Sequence, residues 1–190
     1  MKCASVAIIG RPSAGKSTLV NTICESKVSI TATTPQNTRG QLIFTDTPGY
    51  HISDKGFNKR MQEIAVSSLE ETDAVVYLID ATRSPGAEED AISYMLSGLS
   101  VPVLCCINKK DMLTDQQISA AREYLGKHMP GRQILELSAL EDDGIDEVLI
   151  ELFRLAPEGD LLYDENARTD QNLEFRISEI IREKAMNSVK

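Results

Sequence analysis

Short apolar runs alternate along the chain with longer stretches in which apolar positions recur every three to four residues. The runs at 5–9, 42–45, 74–79, 101–107 and 133–137 are rich in Val, Ile and Leu without clean alternation, which predicts strands buried on both faces. Residues 16–24, 57–70, 88–97, 116–128 and 145–155 read as helices. That order predicts an α/β fold, a mostly parallel sheet with helices on both faces. Two stretches break the pattern. Residues 26–40 are rich in Thr, Ser and Asn without a persistent apolar period, and residues 157–166 (PEGDLLYDEN) form an acidic exit from the preceding helix. Beyond that exit, Leu173, Ile177, Ile180 and Ile181 recur at helical spacing. The expected organisation is one domain over 1–156, then an acidic linker and an amphipathic helix over 157–190.

Composition changes this picture little. Among 190 residues, 42% are hydrophobic, enough to bury a core and to argue against disorder. With 20 Lys+Arg against 29 Asp+Glu the net charge is −9, which argues against a general nucleic-acid binder but leaves room for a local basic site. The N-terminal apolar run is too short for a membrane span and lacks a signal peptide's features, so the expected location is cytoplasmic. Cys3, Cys24, Cys105 and Cys106 form no C-x-x-C pair and read as reduced core residues. With His51 and His128 the only histidines, no zinc site is expected.

The candidate chemistry begins after the first strand. Gly10-Arg11-Pro12-Ser13-Ala14-Gly15-Lys16-Ser17 fits G-x-x-x-x-G-K-[ST] and sits between an apolar strand and a helix. Glycines let successive N–H groups turn inward, and the N-terminus of the following helix, through Thr18, adds donors to the same anion. In this reading Lys16 meets the β- and γ-phosphates, and Ser17 offers its hydroxyl to Mg²⁺. The bland alternative is a glycine-containing turn with a chance Lys-Ser.

Asp46-Thr47-Pro48-Gly49 follows the second run. A carboxylate ending a buried strand suits Mg²⁺ held through water, and the Gly49 N–H can approach a γ-phosphate unobstructed. The same four residues also suit a simple strand-ending turn. After the fourth run comes Asn108-Lys109-Lys110-Asp111. A carboxylate at Asp111 can accept from the N1–H and the exocyclic amino group of guanine together, a donor pair adenine lacks. The Lys109 stem can lie along the base, and Asn108 can tie this loop to the phosphate loop. Ser138-Ala139-Leu140, after the fifth run, can offer backbone N–H groups to the guanine carbonyl. All four elements fall at strand ends, where ligands of open α/β sheets sit.

GRPSAGKS, DTPG, NKKD and SAL together resemble the translation-factor-like P-loop GTPases. The tail is similar to that of the Era family of bacterial GTPases: PEGDLLYDEN, then Thr169-Asp170-Gln171 and Ile177-Ser178-Glu179-Ile180-Ile181-Arg182-Glu183-Lys184. The resemblance implies a P-loop NTPase fold, GTP/GDP and Mg²⁺ as cofactors, and slow hydrolysis of GTP to GDP and phosphate. It also implies a role in assembly of the small ribosomal subunit and processing of its RNA. In that family a KH domain binding ribosomal RNA follows the GTPase domain, and residues 157–190 resemble the lead-in to it. Contacts with the subunit and its RNA are then expected mainly through that domain. Peripheral association with the inner face of the cell membrane is also compatible with the resemblance.

By the same resemblance Lys16, Thr38 and Gly49 are the catalytic set, and Ser17, Thr38 and Asp46 the metal set. Thr38 raises a difficulty of reach. A strand over 41–45 runs about 17 Å back from Asp46 at roughly 3.3 Å per residue. Arg39 and Gly40 alone would have to return the chain from the metal to its far end, a span of about 7–11 Å. Either residues are missing from the sequence, which we favour, or Thr38 does not reach the metal. After Gly49, where many GTPases carry a water-orienting Gln, stands Tyr50, a poor substitute because a phenol lacks the paired amide groups. Arg11 and Arg39 are candidates for an arginine finger by location only, and read better as solvated surface residues. The expected activity is a switch read out through residues 26–40 and 49–59, with slow intrinsic turnover. The alternatives are a nucleotide-sensing module with negligible hydrolysis, or another ribosome- or tRNA-directed GTPase of the same class.

Overall fold

The computed structural model describes residues 1–26, 40–46 and 69–160. Within them the chain forms β1 (Lys2–Ile9), α1 (Lys16–Ser26), β2 (Gly40–Asp46), β3 (Ala74–Asp80), α2 (Ala87–Ser97), β4 (Val103–Asn108), a 3₁₀ turn (Lys110–Met112), α3 (Asp115–His128), β5 (Ile134–Glu136) and α4 (Ile145–Leu155). Of the helix expected over 57–70, only Leu69 and Glu70 are described, and both are helical. The helix expected after residue 166 lies outside the described residues.

The five strands pair in the order β2-β1-β3-β4-β5, every pair parallel. Every residue of β3 and β4 is buried, which is why these strands read as unbroken apolar runs. Period-two alternation still divides them. Val76, Leu78, Leu104 and Cys106 pack with Leu19 and Ile23 of α1 and Val148 and Leu152 of α4. Val75, Tyr77, Ile79, Cys105 and Ile107 pack on the other face with Ile92 and Leu96 of α2 and Leu125 of α3. In α4, Ile145, Val148, Leu149, Leu152 and Phe153 are buried, an i, i+3, i+4, i+7, i+8 stripe. The cysteines are free thiols, and burial raises that of Cys105 to about 12.

Most boundaries shift by a residue or two from the sequence expectation, and three of the shifts have a clear physical reason. β1 begins at Lys2 because residues 2–4 pair with Gly40, Gln41 and Leu42. On its other side the Cys3 N–H donates to Pro157 O at 3.1 Å, and the Gly159 N–H to Met1 O at 2.9 Å. Tertiary pairing thus makes a strand of Lys2-Cys3-Ala4, a stretch of little intrinsic strand preference. The same bonds join the first residues of the expected linker to the sheet. β4 begins after Pro102, which has no N–H to give; its carbonyl accepts from Val75 N at 2.9 Å. α3 begins at Asp115 because Thr114 caps it, the Gln117 side chain accepting in return from Thr114 N at 2.9 Å.

β1 is flanked by β2 on one side and β3 on the other, so the chain order reverses there. The carboxyl ends of the strands around such a reversal open a crevice. Gly10, Asp80 and Asn108 stand at or just beyond those ends.

Candidate functional site

The phosphate loop links β1 to α1. Ser13 and Gly15 both hold positive φ, 64° and 96°. Alternation of this kind turns successive N–H groups to one side and makes an anion-binding concavity. Two positions exclude any side chain: a Cβ on Gly15 would run into the Asn108 amide, and one on Gly10 into the Leu78 carbonyl. The loop is closed by Ala14 N–H donating to Arg11 O at 3.2 Å, and the first helical bond runs from Leu19 N to Gly15 O at 2.8 Å. Among the described residues, the N–H groups of Ser13, Gly15, Ser17 and Thr18 donate to no protein acceptor. That leaves four donors for an anion at a helix N-terminus. The Lys16 ammonium bridges Gly10 O at 2.8 Å and Arg11 O at 2.9 Å within the same loop. Ser17 is exposed on the first turn of α1.

The base-reading elements are joined to this loop through Asn108, 2% exposed at the end of β4. Its Nδ2 donates to Ala14 O at 2.8 Å, and its Oδ1 accepts from Ala139 N at 3.0 Å. Thr22 Oγ1 donates to Ala139 O at 2.7 Å, adding α1 to the same frame. Lys109 follows in the left-handed region at φ 65°. Such a conformation costs a non-glycine residue about 1–2 kcal/mol and is kept where its surroundings require it. It starts the 3₁₀ turn that carries Asp111, which is exposed and has no hydrogen bond or ion pair among the described residues. An unengaged carboxylate at that place is free to accept from a base.

The Ser138-Ala139-Leu140 loop differs from expectation. Ser138 N–H already donates to Asp143 O at 2.9 Å and Ala139 N–H to Asn108 Oδ1. Leu140 N–H is the donor of the three with no acceptor among the described residues. A base carbonyl would have to take that donor or share the one on Ala139.

Arg11 also departs from expectation. It is 8% exposed, not a solvated surface residue. Its Nη2 donates to Asp80 O at 2.9 Å, and its Nη1 lies 2.8 Å from Glu89 Oε1 on α2. A guanidinium committed to these two partners is not available as an arginine finger. Asp80 and Glu89 were not singled out from sequence. The available signal was position: Asp80 ends β3 directly opposite Asn108 in the ladder. The Asp80 carboxylate accepts from Lys109 Nζ at 2.8 Å and from Thr82 N at 3.0 Å. Burial alone would raise its pKa, but the Lys109 and Thr82 bonds outweigh this and hold the carboxyl below its ordinary 3.8.

Asp46 closes β2 opposite Ile8. Thr38, Arg39, Thr47, Pro48, Gly49 and Tyr50 lie outside the described residues. The register nevertheless sharpens the difficulty over Thr38. β2 starts at Gly40, opposite Lys2 at the far end of β1, about 20 Å from Asp46 at roughly 3.3 Å per residue. Two peptide links from Gly40 span only about 7 Å.

A nucleotide fits these residues: unspent loop N–H groups, a cradle that a Cβ would fill, and a free carboxylate beyond β4 define a P-loop GTPase site. The family described as 50S ribosome-binding GTPase matches residues 5–109. GTPase Era of Treponema denticola is 46% identical over 199 residues, covering 98% of this chain and 68% of the relative. GTPase Era of Borrelia garinii is 39% identical over 202 residues, covering 100% and 69%. Among solved structures, Aquifex aeolicus Era bound to GDP·AlF₄⁻ superposes with a TM-score of 0.78 at 33% identity, covering 100% of this chain and 69% of that one. Era in complex with MgGDPNP and nucleotides 1506–1542 of 16S ribosomal RNA gives 0.79 at 35% identity, covering 98% and 67%. The chain belongs to the Era family of GTPases. The Borrelia alignment spans 202 positions against 190 residues here, so about a dozen positions of that relative have no counterpart in this chain.

Proposed function

We propose that this GTPase is a Mg²⁺-dependent switch acting in assembly of the small ribosomal subunit and processing of its RNA. The observation that carries the nucleotide part is Asn108, which bonds the phosphate loop at Ala14 and the base loop at Ala139 at once. One side chain thereby sets the spacing of both subsites. The solved Era complex with a 16S ribosomal RNA fragment supports the ribosomal part.

In the proposed cycle the N–H groups of Ser13, Gly15, Ser17 and Thr18 donate to phosphate oxygens. Lys16 exchanges the carbonyls of Gly10 and Arg11 for the β- and γ-phosphates. These fixed donors stabilise charge as it develops, without reorganisation at the moment of reaction. The Ser17 hydroxyl and the Asp46 carboxylate would hold Mg²⁺, which would supply charge neutralisation at the phosphates. Water adds to the γ-phosphorus as the bond to the β-γ bridging oxygen breaks, giving GDP and phosphate. Asp111 accepts from the N1–H and amino group of guanine, and the Lys109 stem lies along the base. Gly49 is the proposed γ-phosphate contact, and residues 26–40 and 49–59 the readout. The proposal gives Thr38 no metal contact unless residues additional to this sequence precede β2.

Residues 157–190 are proposed as an acidic linker and amphipathic helix that resemble the family's lead-in to its RNA-binding domain. The setting is cytoplasmic, with peripheral contact at the inner face of the membrane, which flotation with anionic vesicles tests. Among the described residues no helix is long and apolar enough to cross a membrane. Co-sedimentation with purified small ribosomal subunits tests the ribosomal role. More protein is expected in the pellet with GDPNP than with GDP, and equal amounts in both would count against it.

A further inference from the structure

Asp80 is held from both subsites. Its backbone carbonyl accepts from Arg11, the second residue of the phosphate loop, and its carboxylate accepts from Lys109, the lysine of the base loop. The Arg11 end is anchored in turn, since Glu89 Oε2 accepts from Gly86 N at 2.9 Å where α2 begins. The Asp80 side chain has 0% exposure, against 30% for Lys109. A carboxylate so buried stays charged only with a partner. Lys109 is the cation that reaches it among the described residues, because the Arg11 guanidinium goes to the carbonyl and to Glu89.

The bond has a consequence for Lys109 as well. With Nζ 2.8 Å from Asp80 Oδ2, the ammonium is tied to a fully buried carboxylate at the end of β3. Lys109 also opens the 3₁₀ turn through Met112 N donating to Lys109 O at 2.8 Å. Whatever fixes Lys109 therefore also fixes the turn that presents Asp111.

We propose that Asp80 is a positioning residue for guanine recognition, acting through Lys109 to hold the base-reading turn in register with the phosphate loop. This rests on the guanine-site assignment given above. It makes base affinity and selectivity depend on a residue that touches no nucleotide, while phosphate binding does not.

The test is a double-mutant cycle on the whole chain with Asp80→Asn and Lys109→Met. Release of a fluorescent GDP analogue is followed by stopped flow, with equilibrium competition by GDP, IDP and inorganic pyrophosphate. Losing a charge-assisted bond is expected to speed GDP release about tenfold in Asp80→Asn. The preference for GDP over IDP, which lacks the 2-amino group, should shrink, and pyrophosphate competition should stay within about twofold of wild type. On the Lys109→Met background, Asp80→Asn should change GDP release by less than about twofold, which a merely structural role would not produce. Thr82→Val removes the hydroxyl bond to the same carboxylate from a half-buried position. It is expected to speed release about threefold, again only when Lys109 is present, and serves if Asp80→Asn does not fold. Unchanged GDP release in the folded variants, or an undiminished Asp80→Asn effect on the Lys109→Met background, would overturn the inference. Wild-type protein that binds pyrophosphate but no GDP would overturn the guanine site, and this inference with it.

Discussion

Replacing Asn108 with alanine separates the phosphate loop from the base loop. The side chain is 2% exposed, and its two bonds, 2.8 Å to Ala14 O and 3.0 Å from Ala139 N, are both buried. Alanine leaves that carbonyl and that N–H with neither a protein partner nor free access to water. Each stranded group costs about 1–3 kcal/mol, so the pair costs about 2–6 kcal/mol. Against a total stability of about 5–15 kcal/mol, that is a large share. Both bonds join protein groups to each other, so the loss appears in folding stability. Urea unfolding followed by far-UV circular dichroism, with GDP removed, measures it directly. At about 2 kcal/mol per molar urea, the midpoint should fall by about 1–3 M. A midpoint unchanged to within about 0.3 M would refute the role of Asn108 as the strut between the subsites.

Gly15→Ala meets two obstacles, φ of 96° and the Asn108 amide in the path of its Cβ. It should lower stability by about 2 kcal/mol or more and weaken GDP binding by calorimetry; wild-type behaviour in both would contradict the loop geometry. Arg11→Met leaves Glu89 buried without its cation and should cost about 3–5 kcal/mol in urea unfolding. Arg11→Met combined with Glu89→Gln should recover part of that loss, and strict additivity would argue against the ion pair. Asp80 supplies a pH signature. Its folded pKa lies below the ordinary 3.8, so its stabilisation is complete above that value and is lost as pH falls through the folded value. Asp80→Asn should therefore show a shallower fall of stability below about pH 4 in acid titration.

Legibility in the sequence followed burial. Strands covered on both faces appear as continuous apolar runs, so β3 and β4 stand out, and the Asn108-Lys109-Lys110-Asp111 motif follows from the end of β4. Residues 2–4 did not, because their strand conformation comes from pairing with β2 and with residues 157–159. The partners of Arg11 were hidden by separation along the chain, since Asp80 is 69 positions away. Glu89, in the first turn of α2, reads in sequence as an ordinary helix-start acid, and one of its oxygens does serve that end. Chain arithmetic alone raises the difficulty of reach for Thr38, which lies outside the described residues. The start of β2 at Gly40 leaves one residue fewer for the return than a strand starting at 41.

Single-turnover phosphate release, with Mg²⁺·GTP and Mg²⁺·ATP run in parallel on excess protein, bears most directly on guanine-specific hydrolysis by these residues. The expected result is slow first-order release from GTP above the protein-free rate, abolished in Lys16→Ala, with none from ATP. Release from GTP no faster than without protein, or equal release from ATP, would contradict it.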